Sequence, residues 1–447
     1  MKVAPIPPAG PILGHARVLA KNPLGTLLRW MTEHGPIVRF RIGRRDAHVV
    51  FAPDAIRHVL SDPEGIYGKD THGYRTLRLF TGDGLLTNDD RGSWARQRKV
   101  LQPAFHRQSI TRQASMMHTV ARRWADVLAA TDGQPVRIDD IAMRATLEIV
   151  GRALFGADLA SHAGEVAAAI ADLQVGANRR IAAAVALPFF VPTPEHLRIR
   201  RARARLRRLL GHLVADRRRS HERSSVPDVV DLLLAARVEE TDQPLPAETI
   251  LDELVTLLIA GHESTSNALT WALVLLARHP VELAHVRAEL DEVDIAKTPS
   301  SERLGRLPRT RAVIEETMRL YPPAWSFGRA PRRDDVIAGY SVPAGRLVMI
   351  VPWATHRDRA LFSQPEAFDP SRFVDRTPPP FSYLPFGAGA RTCIGHAFAR
   401  MEAQIVLATW LHELDFELLP GQDLEPAPLV TLRPRNGALF SVRRRHG

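Results

Sequence analysis

The segment from Pro246 to His279 constrains the fold more than any other, because it is the longest stretch with a helical repeat of apolar residues. Pro246 begins it and the pair His279-Pro280 ends it, in agreement with helix start and stop signals. At a rise of about 1.5 Å per residue, a helix of this length spans about 50 Å. We therefore expect it to run through the middle of the molecule.

Helical periodicity also covers most of the remaining chain. Further helices are predicted near 53–61, 92–101, 108–130, 139–155, 163–184, 195–220, 227–238, 281–293, 308–320 and 397–412. Short apolar or alternating runs predict strand pairs at Ile37–Ile42 with Ala47–Phe51, at Val336–Val342 with Leu347–Val351, and within 429–443. Since no long flexible linker or internal repeat divides the chain, we expect one mainly α unit with small β-sheets, spanning residues 1–447.

The charge balance is basic, with 60 Lys and Arg against 49 Asp and Glu and a net charge of +11. Such a balance suits nucleic acid, anionic lipid or an acidic protein partner. The sequence has no zinc-finger spacing and no aromatic RNA-binding signature, so an acidic protein partner is favoured over nucleic acid. The basic run Leu197–Arg223 carries an apolar stripe that could lie on a membrane surface, although a solvated helix is favoured.

The N-terminus argues against a secretory leader, because Pro5, Pro7, Pro8 and Pro11 interrupt its apolar stretch. No run reaches the roughly 18 apolar residues of a membrane span. Cys393 is the one cysteine, which excludes an intramolecular disulfide and a zinc site built from several cysteines. These features predict a cytoplasmic protein without a membrane span.

Cys393 lies within the sequence FGAGARTCIG, from Phe386 to Gly395. A lone buried cysteine is usually an inert apolar residue. Here the neighbouring glycines permit close approach or positive φ angles. A helix starting near Ala397 and the guanidinium of Arg391 would both favour the thiolate, which is the metal-binding form.

The fixed residues Phe386, Gly389, Arg391, Cys393 and Gly395 match the cysteine loop of the cytochrome P450 family, and the chain resembles that family. The resemblance implies the cytochrome P450 fold, a single α-rich unit whose long central helix lies over haem. It further implies that Cys393 binds the iron of haem b, iron protoporphyrin IX. Phe386 would then pack beside the sulfur, Gly395 would belong to the loop that holds the cofactor, and Arg391 would pair with a propionate.

Three other motifs occur in the order found in that family. Glu316 and Arg319 lie at i and i+3 on one helix face, and the resemblance adds Arg372 to form a structural charge network. Trp94 and Arg98 are one helical turn apart and can both donate to one propionate. The resemblance makes Arg329 a further propionate ligand. Taken alone, the first pair would be an ordinary surface ion pair and the second a basic amphipathic helix.

The sequence AGHEST, Ala260–Thr265, lies at the middle of the long helix. Small residues there would leave room above a haem face, and Glu263 with Ser264 would relay protons to bound dioxygen. Ser264 replaces the threonine usual in the family, which keeps the hydroxyl but loses the stiff branched side chain, and Thr265 would share the work. His262 is expected to be a packing residue rather than an iron ligand. Without this context the segment would be a helix with a tolerated glycine.

The resemblance implies a bacterial monooxygenase of secondary metabolism that inserts one oxygen atom from dioxygen into a hydrophobic small molecule of terpenoid, polyketide or fatty-acyl type. Electrons would come from a ferredoxin or flavodoxin with its NAD(P)H-dependent reductase. The residues Arg96, Lys99, Arg107 and Arg112 are candidate docking charges, and a solvated helix face is an equal alternative for them. The pocket is expected from segments 67–86, 170–192, 229–240 and 322–328, with the aromatic residues Phe189, Phe190, Trp325 and Phe327. The alternatives are a peroxide-driven haem enzyme, a non-catalytic haem-binding protein, and a basic DNA-binding protein.

Overall fold

The computed structural model describes residues 2–43, 45–157, 159, 162–182, 187–219, 227–239, 241–293 and 301–445. The helices in these ranges are α1 (Ala16–Lys21), α2 (Pro23–His34), α3 (Pro53–Ser61), α4 (His72–Thr81), α5 (Arg91–Leu101), α6 (Arg107–Arg112), α7 (Ala114–Ala129), α8 (Ile138–Phe155), α9 (Ala163–Ala182), α10 (Pro194–Arg219), α11 (Val229–Ala235), α12 (Ala247–Arg278), α13 (Pro280–Val293), α14 (Ser301–Gly305), α15 (Pro308–Leu320), α16 (Pro352–Thr355) and α17 (His396–Glu413). The strands are β1 (Ile37–Ile42), β2 (Arg45–Val50), β3 (Tyr67–Gly68), β4 (Val136–Arg137), β5 (Phe327–Pro331), β6 (Asp335–Ile337), β7 (Tyr340–Val342), β8 (Leu347–Ile350), β9 (Leu414–Leu418), β10 (Pro426–Pro428), β11 (Leu432–Pro434) and β12 (Leu439–Arg444).

Helix α12 is the predicted long helix, with Pro246 as its N-cap and His279 as its C-cap. Residues 265–276 are buried on every face of the helix, as expected for a helix enclosed by others. It packs against α8, α15 and α17, and its Trp271 ring stacks on Tyr321 with ring centroids 3.8 Å apart. The prediction of a helix through the interior is therefore confirmed.

The other helices agree with the periodic pattern with few differences. The helix predicted over 108–130 is divided into α6 and α7. The helix predicted over 227–238 is shorter, because Asp228 and Asp231 form a capping box that fixes its start and the chain becomes extended at Ala236. Part of the basic run Leu197–Arg223 forms α10, and its last residues lie outside the described ranges.

The largest sheet has the strand order β1-β2-β8-β5-β3. The hairpin predicted near the N-terminus is present as β1 and β2, with Ile37 opposite Val50. Arg44 of its turn lies outside the described residues. Strand β8 lies parallel to β2 and antiparallel to β5, so the sheet joins the N-terminal hairpin to strands from residues 327–350.

Two of the predicted strand pairings are wrong. Val336–Val342 is itself a hairpin, because Ala338 and Gly339 both have positive φ and turn β6 back onto β7. Leu347–Val351 therefore provides β8 of the large sheet instead of pairing there. Within 429–443, β11 pairs with β10, whereas β12 lies between β4 and β9.

A buried charge cluster supports the segment that leads to Cys393. The guanidinium of Arg319 donates to both oxygens of Glu316, at 2.7 and 2.8 Å, and both side chains are fully buried. Arg319 also donates to the carbonyls of His356 and Pro365 at 2.9 and 2.6 Å. Arg372 Nε lies 3.4 Å from Glu316 Oε1, as the sequence motif implied.

Among the described residues, no helix is long and apolar enough to cross a bilayer.

Replacing Arg319 with Met should lower the free energy of unfolding by about 3–5 kcal/mol, because Glu316 would be left as a buried charge without its bidentate partner. Urea-induced unfolding followed by circular dichroism measures the change. Arg57→Met removes an exposed pair with Asp54 and serves as the control, for which almost no change is expected. Equal midpoints for Arg319→Met and the unmodified protein would contradict the prediction.

Candidate active site

The loop that carries Cys393 is closed by its own backbone. Cys393 N–H donates to the carbonyl of Phe386 at 3.0 Å. Gly387 and Gly389 both have positive φ, and a Cβ on Gly389 would lie 1.9 Å from the carbonyl oxygen of Leu60. Both positions therefore need glycine. Gly395 has an ordinary φ of −89° and is the N-cap of α17, which places the sulfur at a helix N-terminus.

His356 fixes the start of this loop. The backbone N–H of Leu384 donates to His356 Nε2 at 2.8 Å, so the ring proton must be on Nδ1, which lies 3.1 Å from the carbonyl of Arg319. Burial lowers the pKa of His356 to about 3, with Arg319 and Arg357 contributing in the same direction. The neutral ring therefore links the charge cluster to the cysteine loop.

The side chain of Cys393 is open to a cavity. Burial raises the pKa of the thiol, while the Gly395 N–H and the cations Arg98, Arg400 and Lys69 act in the opposite direction. Arg391, expected beside the sulfur, instead stacks on the ring of Trp94 and donates to the carbonyl of Asn88 at 2.9 Å. Coordination of a metal would require and stabilise the thiolate.

The cavity has a volume of about 300 Å³ and lies between α12 and the cysteine loop. Its walls are mainly apolar, with side chains contributed by Leu85, Leu257, Ala268, Ile314, Phe327 and Phe398. Such a space suits a largely apolar molecule.

Besides Arg400, which is paired with Glu315, four cations border the same cavity: Lys69, Arg98, Arg329 and Arg391. Arg98 donates to the carbonyl of Thr392 at 2.9 Å, and Arg329 to that of Gly328 at 2.8 Å. Burial lowers the pKa of Lys69 well below its ordinary value, and Arg329 and Arg391 lower it further. Buried cations that repel each other form a site for an anion.

The structure thus brings together the predicted residues Trp94, Arg98, Arg329, Phe386, Arg391, Cys393 and Gly395 at one cavity. Lys69 was missed. It has no neighbouring pattern in the sequence, and its importance arises from burial and from its bond to the carbonyl of Leu86 at 2.6 Å. Arg400 was also missed, although its position one helical turn into α17 places it near the sulfur.

The segment Ala260–Thr265 has different roles on different faces of α12. A Cβ on Gly261 would lie 3.2 Å from Val150 of α8, so this glycine permits close helix packing as well as bordering the cavity. His262 is buried, and its Nδ1 lies 2.6 Å from the carbonyl of Leu258. Burial lowers its pKa to about 4, which agrees with a packing residue.

Glu263 and Ser264 point to different surroundings. Glu263 is buried away from the cavity lining, where it accepts hydrogen bonds from Gln174 and from Thr431, the latter at 2.7 Å. Burial raises its pKa. Ser264 borders the cavity, and its hydroxyl donates to the carbonyl of Ala260 at 3.2 Å. The acid and the hydroxyl, adjacent in sequence, are therefore not bonded to each other.

Thr265 lies beside a buried acid that the sequence did not reveal. The residue borders the cavity, and its Oγ1 is buried next to the carboxyl of Glu402 on α17. Neither oxygen of Glu402 has a well-formed hydrogen bond in the part of the chain that the structure describes. Burial raises the pKa of Glu402 well above its ordinary value, which favours the neutral form of the acid.

The aromatic residues predicted to line the pocket are mostly elsewhere. Phe327 borders the cavity, but Phe190 is exposed, Phe189 packs against His196, and the indole of Trp325 donates to the carbonyl of Leu429. Segments 67–86 and 322–328 contribute to the lining as expected. The described residues of 170–192 and 229–240 do not, and residues 183–186 lie outside the described ranges.

These side chains match the requirements of haem. A porphyrin is a flat apolar ring with two carboxylates, and its iron takes a thiolate as axial ligand. The cavity offers apolar walls for the ring, cations and the Trp94 indole for the carboxylates, and one cysteine sulfur for the iron. The donor set therefore fits the cofactor that the cysteine loop implies.

Comparison with known proteins gives consistent matches along the chain. The family model for cytochrome P450 matches residues 4–440. Cyclooctatin synthase of Streptomyces melanosporofaciens is 34% identical over 435 residues, which cover 96% of this chain and 93% of that protein. Cyclooctat-9-en-7-ol 5-monooxygenase of the same organism is 33% identical over 429 residues, covering 94% and 90%. Pentalenene oxygenase of Streptomyces avermitilis is 32% identical over 434 residues, covering 95% and 94%. The likeness extends over nearly the whole of each chain.

The neutral ring of His356 predicts a pH dependence of stability. Its pKa falls from 6.5 to about 3 on folding, so the unfolded chain binds one more proton between these values. This group should therefore cost the folded state about 1.4 kcal/mol for each pH unit as the pH falls from 6.5 to 3. The free energy of unfolding should be measured against pH across this range for His356→Gln and for the unmodified protein. The two slopes should differ by the equivalent of one proton. His285→Gln, which alters an exposed histidine, should keep the original slope.

Proposed function

Because this chain belongs to the cytochrome P450 family, we propose that it binds haem b through Cys393 and oxygenates a terpenoid. Membership makes it a monooxygenase with a haem-iron cofactor that uses dioxygen and a redox partner. The proposal for Cys393 rests on its opening into an apolar cavity that four cations border. When bound, the haem supplies the chemistry that activates dioxygen.

The chain's own residues would orient the cofactor and the substrate. Lys69, Arg98, Arg329 and Arg391, with Trp94, would hold the two propionates by charge-assisted hydrogen bonds. Phe386 would pack beside the sulfur, and the Gly395 N–H would reduce its negative charge. The apolar walls would hold the substrate and exclude water from the cavity.

The terpenoid class rests on the relatives and on the cavity. Two of the relatives carry names that refer to oxygenation of cyclooctat-9-en-7-ol and of pentalenene. The cavity walls in this chain are aliphatic or aromatic at Leu85, Leu257, Ala268 and Phe327, which suits a compact hydrocarbon. We therefore place the protein in secondary metabolism, where it would hydroxylate or epoxidise such a skeleton.

Electrons would come from an acidic ferredoxin or flavodoxin with its NAD(P)H-dependent reductase. Lys99 of α5 and Arg107 and Arg112 of α6 are exposed. Helix α5 also presents Trp94 and Arg98 to the cavity, so a partner bound to its outer side would be close to the cofactor. Complementary charge would speed association with an acidic partner. The cytoplasm, where NAD(P)H is available, is the compartment that this supply requires.

We assign the polar contact with dioxygen to Ser264, with Glu263 and Thr265 in supporting positions. Ser264 borders the cavity, and its hydroxyl, which donates to the Ala260 carbonyl in this structure, can rotate to donate a hydrogen bond into the cavity instead. Glu263 would act by holding the helix to Gln174 and Thr431. Thr265, with Glu402 behind it, would keep a second proton close to the same turn of α12.

Cys393→Ser should abolish the thiolate signature in the spectrum of the reduced carbon monoxide complex, because a serine hydroxyl does not provide a thiolate ligand. Haem content of the same sample is the control for retained cofactor. A thiolate signature that survives the substitution would show that another residue binds the iron.

Unmodified protein should show a shift of its main absorption band with cyclic terpene hydrocarbons and oxygenate them with dioxygen, NAD(P)H and a partner system. Equal turnover with peroxide alone would favour a peroxide-driven enzyme.

Ser264→Ala should lower the product formed per dioxygen consumed by about a hundredfold, the scale typical of a positioned proton-transfer group. Ser264→Thr should restore it, because the hydroxyl returns. Thr265→Val is the matched control, since it removes the neighbouring hydroxyl, whose oxygen is buried away from the cavity. A larger loss in Thr265→Val than in Ser264→Ala would reverse the assignment of the two residues.

A further inference from the structure

The loop between α4 and α5, residues 82–88, is held against α12 by two adjacent carboxylates. Asp83 N–H donates to Asp252 Oδ2 at 3.0 Å, and Leu85 N–H donates to Glu253 Oε2 at 3.0 Å. Both bonds join residues that are far apart in the sequence. We call this arrangement the α12 clamp, meaning Asp252, Glu253 and the two backbone N–H groups that they accept from.

Glycine makes this close approach possible. A Cβ on Gly84 would lie 2.2 Å from Thr256 Oγ1 and 2.7 Å from the carbonyl oxygen of Asp252. A Cβ on Gly82 would lie 2.0 Å from the Asp252 carboxylate. Gly84 has no positive φ, so its requirement for glycine arises from the contact with α12 alone.

Burial of the Glu253 carboxyl has a desolvation cost, which indicates that its contact with the loop offsets part of that cost. It is fully buried, and its Oε1 has no hydrogen-bond partner among the described residues. Burial raises its pKa to about 7, Asp252 adds to the rise, and the bond from Leu85 opposes it. In either protonation state, a carboxyl oxygen remains to accept the Leu85 N–H.

The same loop holds two of the four cations at the cavity. The ammonium of Lys69 donates to the carbonyl of Leu86 at 2.6 Å, and Arg391 donates to the carbonyl of Asn88 at 2.9 Å. The side chains of Leu85 and Leu86 also border the cavity. One short loop therefore provides both a wall of the substrate cavity and the acceptors that orient cations for the cofactor.

We propose that Asp252 and Glu253 are positioning residues for the haem, which act through the loop 82–88 on Lys69 and Arg391. This inference rests on the proposed seating of the propionates at these cations. When the clamp is formed, the loop holds the carbonyls of Leu86 and Asn88 in place to accept from Lys69 and Arg391. When the loop is released from α12, the two cations lose these acceptors, and the propionates lose part of their binding site.

Glu253→Leu and Gly84→Ala test the clamp from opposite sides. The first removes the acceptor for Leu85, and the second pushes the loop away from Thr256 without altering a charge. Each should speed the transfer of haem to a haem-scavenging apoprotein by about tenfold, as expected for residues that support cofactor ligands. Each should also make the reduction potential of the iron more negative, because a nearby cation is displaced. Glu253→Gln keeps an acceptor oxygen and should restore both properties.

A double-mutant cycle with Lys69→Met shows whether the effect passes through Lys69. Glu253→Leu should add less to haem loss in the Lys69→Met protein than in the unmodified protein, because only the route through Arg391 remains. Glu248→Gln is the matched control, because Glu248 is an exposed carboxylate on the same helix. Like Asp252, it forms an ion pair with Arg207. It should release haem at the original rate.

Unchanged haem release in both Glu253→Leu and Gly84→Ala, or full additivity with Lys69→Met, would overturn the proposal. If Glu253→Leu does not accumulate as folded protein by circular dichroism, Gly84→Ala decides. The iron ligand is tested separately by the carbon monoxide spectrum of Cys393→Ser. An error in the ligand and an error in the role of the clamp therefore give different results.

Discussion

The position of the cysteine sulfur depends on the guanidinium of Arg319. It neutralises Glu316 in the interior and donates to backbone carbonyls, including that of His356. The ring of His356 in turn accepts the N–H of Leu384, where the cysteine loop begins. A charge pair in the core has a large desolvation cost, and here the cost is offset because Arg319 donates to both oxygens of Glu316 and to the carbonyls of His356 and Pro365. Rigid placement of a metal ligand follows from this chain of contacts.

Helix α12 connects the functional parts because each of its faces has a different neighbour. Gly261 packs against α8, Ser264 borders the cavity, and Glu263 bonds to Gln174 of α9 and to Thr431. One helical turn before Ala260, Thr256 lies against the loop at Gly84. A single rigid element thus fixes the substrate cavity relative to the cysteine loop and to the cations.

The sequence predicted the elements whose signals are local. The length and ends of α12 follow from periodicity and prolines, and the motif residues Trp94, Arg98 and Cys393 meet at one cavity as the family resemblance implied. The wrong pairing of Val336–Val342 with Leu347–Val351 has a local cause too, since the positive φ angles of Ala338 and Gly339 place a turn inside the first of these runs. Lys69, Glu253 and Glu402 could not be recognised, because their properties arise from burial by segments distant in the sequence. The same is true of Phe189 and Trp325, because an aromatic side chain alone does not indicate whether it borders the cavity or packs elsewhere in the protein.

The contacts of Thr431 and its neighbours with the core have a consequence for synthesis of the protein. Thr431 bonds to Glu263 and accepts from Asn267, while the indoles of Trp271 and Trp325 donate to the carbonyls of Leu432 and Leu429. A nascent chain on the ribosome lacks these partners until residues 429–432 have been translated. Final packing around the central helix must therefore wait until these residues have left the ribosome, long after α12 itself has been synthesised.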